Sequence, residues 1–286
     1  MAINGKGLAW ILIATVGFSV IPIIASMGFA ENYTPVTLLF YRFFIAGIVF
    51  LIYCVLSRKK IALQDKSTVV AMCTAGGLYS IQCIFFFSAF QYISSSVGEI
   101  VYHCYPLFVL PLAAVFLHES LTAQKIFGVV LAVAGTAVIL YSPWELAEIK
   151  GIVYVFVSTF TSSFYMVFTK KYLGSIDSAA LTMYLCFVCA AVYFVYGLMK
   201  GELAAPTGYK AFVYIGILSF WSTIVGFFAF MKAISLLTAG QVSVFSLLEP
   251  VFTVTLAYIM LGDKLAALQI AGALVILAGI IIYDRA

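Results

Sequence analysis

Apolar runs of about 20 residues follow one another along this chain with only short polar joins between them, and that spacing leaves few ways to fold. Hydrocarbon offers no hydrogen bonds, so a segment that crosses it must satisfy its own backbone, which a helix rising 1.5 Å per residue does over roughly 20 residues. The runs lie near Gly7 to Met27, Val36 to Leu56, Thr68 to Phe90, Ser94 to Leu117 and Ala123 to Tyr141, then Gly151 to Thr169, Ala179 to Met199, Ala211 to Met231, Leu237 to Leu261 and Ala267 to Tyr283. The joins carry breakers and charges, as in Glu31-Asn32-Tyr33-Thr34-Pro35, Ser57-Arg58-Lys59-Lys60, Ser142-Pro143-Trp144-Glu145, Gly201-Glu202 and Gly262-Asp263-Lys264. With 65% hydrophobic and 9% charged residues in 286, ten spans use almost the whole length. The expectation is an all-α integral membrane protein of ten transmembrane helices, with any function seated between helices.

The same composition excludes other classes. A net charge of +4 spread over short joins forms no basic stripe for nucleic acid. Cys54, Cys73, Cys83, Cys104, Cys186 and Cys189 all fall in apolar runs, where cysteine packs as a small hydrophobe; Cys186-Phe187-Val188-Cys189 lacks the further ligands of a metal or redox motif. No metal set or cofactor fingerprint is present. The first run is too long for the core of a signal peptide and is echoed inside the chain, so it reads as a span.

Adding 144 to a residue number reveals an ungapped internal repeat. Lys6-Gly7 becomes Lys150-Gly151, Ser19 becomes Ser163, Pro106 becomes Pro250, Glu119 becomes Asp263, Leu121 becomes Leu265, Ala123 becomes Ala267, Gly128 becomes Gly272 and Gly135 becomes Gly279. Two five-helix repeats, 1–147 and 148–286, follow. Five is odd, so the second copy is expected upside down relative to the first, an arrangement that lets a transporter expose one midplane site to either side in turn. A duplicated structural bundle is the alternative. With the N-terminus inside, the first half places Lys6, Arg58, Lys59, Lys60, Lys66 and Lys125 inside and none outside. The second half shows no bias, so both termini inside rests on the first.

Ionisable residues inside the membrane cost about 2.5–3.5 kcal/mol each on insertion scales and therefore face protein or water. Arg42 and Glu99 lie at matching depths, about 9 and about 8 Å from the outer ends of the second and fourth spans. They could form a buried ion pair that locks two helices, or Glu99 could face substrate. Glu99 and His103 are four apart on one helix face, with Tyr102 beside them. His103 could relay a proton, or sit neutral against a carbonyl or tyrosine hydroxyl. Glu249 lies about 18 Å from the inner end of the ninth span, a depth that suits reversible protonation. Pro106 and Pro250 each remove a helical donor beside these residues and mark bending points, with Pro111 adding another in the fourth span alone. Tyr79, Gln82, Phe18, Ser19, Ser163, Tyr165, Trp221, Ser222, Gln241 and Ser246 complete an aromatic, hydroxyl-lined cleft in this reading. Taken singly, each of these is more often packing than ligand contact. Gly128 with Gly135 and Gly272 with Gly279 suit close helix approach.

These residues also carry a family pattern. Tyr41-Arg42-Phe43-Phe44-Ile45-Ala46, Pro106-Leu107-Phe108 through His118-Glu119-Ser120-Leu121, and Leu248-Glu249-Pro250-Val251-Phe252 through Gly262-Asp263-Lys264-Leu265 resemble the drug/metabolite transporter superfamily, in particular its EamA-type ten-helix permeases. The resemblance implies a central cavity lined by helices one, three, four, six, eight and nine, and alternating access by rocking of helix pairs. It implies fold or gating roles for Arg42, Glu249, Pro106 and Pro250. Glu99 and His103 occupy places that are usually apolar or small in that family, which marks them for this protein's own selectivity. The implied function is a secondary transporter, not an enzyme, in a bacterial inner membrane. The substrate expected is an amino acid or related small metabolite, exported by a monomer with protons as candidate coupling ion. Substrate contacts are expected from Glu99, His103, Tyr102, Tyr79, Gln82, Ser19, Tyr165, Trp221 and Ser246. A transporter of cationic amines or drugs is the alternative if Glu99 is unpaired; an intramembrane enzyme using His103 and Glu99, or a nontransporting scaffold, is more remote.

Overall fold

A computed structural model describes residues 4–59, 65–140, 149–261 and 267–286. The described chain is helical, with no strand among these residues. The predicted end of the fifth span at Tyr141, the joins 142–145 and 262–264, the repeat partners Asp263 and Leu265, and the boundary at 147/148 lie outside the described residues.

Ten helical stretches follow in order. α1 comprises Gly5–Phe18 and Ile21–Ala30, α2 is Pro35–Leu56 and α3 is Lys66–Ala89. α4 comprises Ser95–Tyr102 and Pro106–Leu117, and α5 is Ala123–Ile139. α6 is Ile149–Leu173 and α7 is Ser178–Lys200. α8 runs through Gly208–Ile217, a wide π-helical segment Leu218–Phe227, and Phe228–Leu236. α9 comprises Ala239–Phe245, a 3₁₀ turn Ser246–Leu248, and Glu249–Leu261; α10 is Ala267–Asp284. Nine are long and apolar enough to cross a bilayer, and α5, at 17 residues, is the shorter one. Large apolar side chains such as Val115, Phe156, Ile259 and Leu274 point outward, as expected where lipid is the solvent. This is a multi-pass membrane protein.

Four of the helices are interrupted, and the interruptions position the interior. Pro106 begins the second part of α4, and the chain turns through residues 103–105, where Cys104 N–H donates to Val101 and Tyr105 N–H to Tyr102. The 3₁₀ turn of α9 stands just before Glu249 and Pro250, so both prolines flank a break. The first span breaks at Ser19 and Val20, ahead of Pro22, where one continuous helix was expected. The π segment of α8 was likewise not anticipated; Thr223 Oγ1 donates to Leu218 O five residues back, and Gly226 meets Gly17 of α1 so closely that a Cβ on Gly17 would lie 2.5 Å from its Cα.

α5 and α10 cross through glycine. A Cβ on Gly128 would meet Tyr283 N at 2.7 Å and one on Gly272 would meet Ile139 N at 2.7 Å; Gly135 faces Ile276 N and Gly279 faces Ala132 N in the same way. The two helices therefore run antiparallel, and adding 144 exchanges these contacts with one another. Polar contacts close the molecule at its ends. Lys59 pairs with Asp177 at 2.9 Å, Lys210 pairs with Glu31, and Thr34 and Thr37 donate to Glu202 O at 2.8 and 2.9 Å. Each joins segments that ten successive crossings place at the same end.

Candidate functional site

The first part of α4 starts with Ser94 accepting from Val97 N–H as an N-cap, and one turn later it carries Glu99 and His103. Because the helix stops at Tyr102, His103 sits at the break instead of within a regular turn. Its Nδ1 lies 2.8 Å from Glu99 O and 3.1 Å from Glu99 Oε2. A carbonyl oxygen only accepts, so Nδ1 carries a hydrogen and Nε2 is left as the titratable position. Nε2 makes no hydrogen bond and lies 3.8 Å from Glu249 Oε2, brought from α9 by its own break. One imidazole thus stands between two carboxylates, His103 at 0% exposure, Glu99 at 5% and Glu249 at 9%. Three donor atoms, one from each residue, lie within 4.8 Å of one another, close enough to share protons or to hold a small cation.

Glu249 faces a cavity of about 60 Å³, room for a few water molecules. Its wall comes from both parts of α1 (Phe18, Ile21), from α3 (Tyr79, Gln82, Phe86, Phe87), α4 (Tyr102, Tyr105), α6 (Ser162, Tyr165, Met166), α8 (Phe230) and α9 (Ser246, Glu249). Arg42 of α2 joins them. It is 1% exposed, its Nε donates to Thr223 Oγ1 at 2.6 Å, and its Nη2 is buried without a hydrogen-bond partner. Thr223 can accept there because its own hydroxyl hydrogen is spent on Leu218 O in the π segment.

The pairing considered from depth alone does not form. Arg42 turns to Thr223, and Glu99 is held by His103, so equal depth did not mean contact: the two side chains leave different helices toward different neighbours. His103 meets a carbonyl, that of Glu99 one turn back, in addition to the carboxylates. Of the other expected contacts, Tyr79, Gln82, Tyr102, Tyr165 and Ser246 stand on the cavity wall. Glu99 and His103 lie behind it, reached through Glu249. Ser19 and Trp221 are placed elsewhere. Ser19 donates its hydroxyl to Val16 O at the α1 break, and Trp221, 38% exposed on the outer side of the π segment, donates Nε1–H to the same carbonyl.

Residues the sequence reading passed over include Tyr105, Thr159, Ser162 and Thr223. Ser162 and Gln82 both meet the Tyr102 hydroxyl, at 3.1 and 3.3 Å. Thr159 and Ser163 donate to Val101 O and Tyr105 O around the α4 break, at 3.2 and 3.1 Å. Ser158, Thr159, Ser162 and Ser163 recur at helical spacing on one face of α6, and that stripe was the available signal. Thr223 gave no comparable sign.

Ten apolar helices, four of them interrupted, around a small aromatic cavity with buried charges have the form of a membrane transporter. The chain belongs to the EamA-like transporter family, whose model matches residues 5–141 and again 149–283. It is 30% identical to an uncharacterized transporter of Archaeoglobus fulgidus over 96% of this chain and 98% of that one. A "Probable terminal-alkyne amino-acid exporter" of Streptantibioticus cattleyicolor is 24% identical over 76% of this chain and 72% of its own length. A solved crystal structure shares the fold with a TM-score of 0.76 at 18% identity, covering 95% of this chain and 96% of that one.

Proposed function

We propose that the chain exports amino acids or related small metabolites by alternating access, coupled to protons through Glu99, His103 and Glu249. The observation that carries the coupling is the imidazole held between two carboxylates, one of them on the cavity wall. A proton delivered to Glu249 from the cavity has His103 Nε2 as its next acceptor, and the hydrogen on Nδ1 already faces Glu99. Each transfer changes the charge next to the cavity, and the step from Nδ1 to the Glu99 carboxylate gives up the hydrogen bond to Glu99 O. Tyr79, Gln82, Tyr102, Tyr165 and Ser246 are the proposed substrate contacts, and the breaks beside Pro106 and Pro250 the proposed bending points. A cavity of about 60 Å³ is smaller than an amino acid, so the walls must part for substrate to enter.

The two five-helix repeats 1–147 and 148–286 are read as inverted, which the antiparallel α5–α10 crossing supports. In this reading both termini face the cytoplasm of a bacterial cell and the protein works as a monomer. The alternative of a transporter for cationic amines turns on whether Arg42 meets Glu99; it does not, and His103 holds Glu99 through Oε2 while Oε1 has no hydrogen-bond partner, so a cation site stands as the second reading. Purified protein in liposomes is the direct test. Amino acids should accumulate against an imposed pH gradient, and movement of no amino acid or amine under any pH or substrate gradient would falsify the reading.

A further inference from the structure

Arg42 brings a permanent positive charge to the cavity wall with its partners incomplete. Thr223 holds Nε from one side, the Phe43 ring lies 4.9 Å from the guanidinium carbon, and Nη2 is buried with no acceptor. No carboxylate comes within 4 Å of this guanidinium among the described residues, although Glu249 lines the same cavity. A buried cation lacking a counter-ion is costly, and breaking a buried pair by removing one member shows how costly. A guanidinium held in this way has a donor to offer an anion.

We propose that Arg42 is the carboxylate receptor of the transported solute, and that the site takes zwitterions with apolar side chains. The solute's carboxylate would sit on Arg42 Nη2, its ammonium toward Glu249, and its side chain among Phe18, Phe87 and Phe230. This rests on the transport reading above and narrows it. Charge balance favours it: Arg42 and Glu249 bring opposite charges to the same cavity wall, so a zwitterion set between them keeps the cavity neutral. A cationic amine would leave Nη2 unpartnered and add a like charge near Arg42. A phosphate dianion would find one open buried donor and face Glu249.

The test uses the full-length protein in liposomes, with counterflow of labelled L-phenylalanine and L-leucine competed by phenethylamine, which lacks the carboxylate, and by 3-phenylpropionate, which lacks the ammonium. On the wild type, both competitors should be weaker than L-phenylalanine by about tenfold or more, the scale of one lost charge-assisted contact. Arg42→Gln, which keeps a donor for Thr223, should raise the half-saturating concentration of L-phenylalanine by a similar factor while inhibition by phenethylamine is retained or strengthened, because the like charge beside it is gone. The retained amine response reports that the variant is folded, and the wild-type comparison stands even if it is not. Phenethylamine competing as well as L-phenylalanine, or Arg42→Gln exchanging L-phenylalanine like the wild type, overturns the carboxylate assignment and leaves transport standing. If no solute moves through the wild type, the transport reading fails and this inference falls with it.

Discussion

At the scale of single residues, the chemistry is concentrated in side chains whose partners lie far away in sequence. Glu99 and His103 could be seen to share a helix face, because four residues is about one turn. Their third member could not: Glu249 is 146 positions beyond His103 and meets it only because both helices break beside a proline. Arg42 shows the converse. Its depth was readable, but which neighbour its side chain would choose was decided by the π segment that turns Thr223 inward. The proton role is checked here. Glu249→Gln keeps the size of the side chain and removes the exchangeable proton that His103 Nε2 would receive. It should abolish accumulation driven by a pH gradient, measured as loss of the pH-dependent component, while counterflow continues at a raised half-saturating substrate concentration, because Glu249 also faces the solute's ammonium. If Glu99→Gln and Glu249→Gln both retain gradient-driven accumulation, these carboxylates do not couple protons.

At the scale of elements, breaks and crossings matter more than helix content. Helix positions were legible, since a 20-residue apolar run in lipid has little alternative, and Pro106 and Pro250 announced two of the interruptions. The π segment was not, because it packs against α1 through Gly17 and Gly226, residues 209 apart, and the α1 break was passed over although Pro22 stands beside it. The α5–α10 crossing is held by backbone approaching backbone. Gly135→Ala places a Cβ 2.7 Å from Ile276 N and 2.9 Å from Gly272 O, which no side-chain rotation relieves. It should lower the melting temperature of the detergent-solubilised protein clearly, whereas Gly77→Ala, with nothing within 4 Å of its Cβ, should leave it unchanged. Another element-level contact is the start of α9, where Glu119 accepts from Ala239 N–H at 2.7 Å and Gly240 N–H at 3.0 Å, a carboxylate at the positive end of a helix. Glu119→Ala leaves those donors open and should cost about 1 kcal/mol, the usual value of an N-cap, read from thermal unfolding.

At the scale of the whole molecule, the ends are tied by contacts that each span more than a hundred residues. Asp177 caps α7 by accepting from Ala179 and Ala180 N–H and also holds Lys59. Burial pushes its carboxyl up, but the hydrogen bonds and charge of Lys59 together with the two amides outweigh that and hold it below its ordinary 3.8. Its contribution is therefore present above about pH 3.8 and fades as pH falls through the lower folded value. The hydrogen bond that Lys59 donates to Asp177 raises Lys59 above 10.5, so that side of the pair is complete below 10.5 and fades as pH rises through the higher folded value. Asp177→Asn, which can keep the cap and loses the charge, should flatten the acid limb of melting temperature against pH. Asp177→Ala should lower stability at neutral pH as well. What the sequence determined by itself was the class of molecule: ten membrane helices in two related halves, because hydrocarbon forces each apolar run into a helix and an ungapped offset survives in the residues themselves. What only the tertiary structure decided was which buried charges meet, because side chains from distant helices choose partners by the local breaks that aim them, and an offset or a depth does not encode direction.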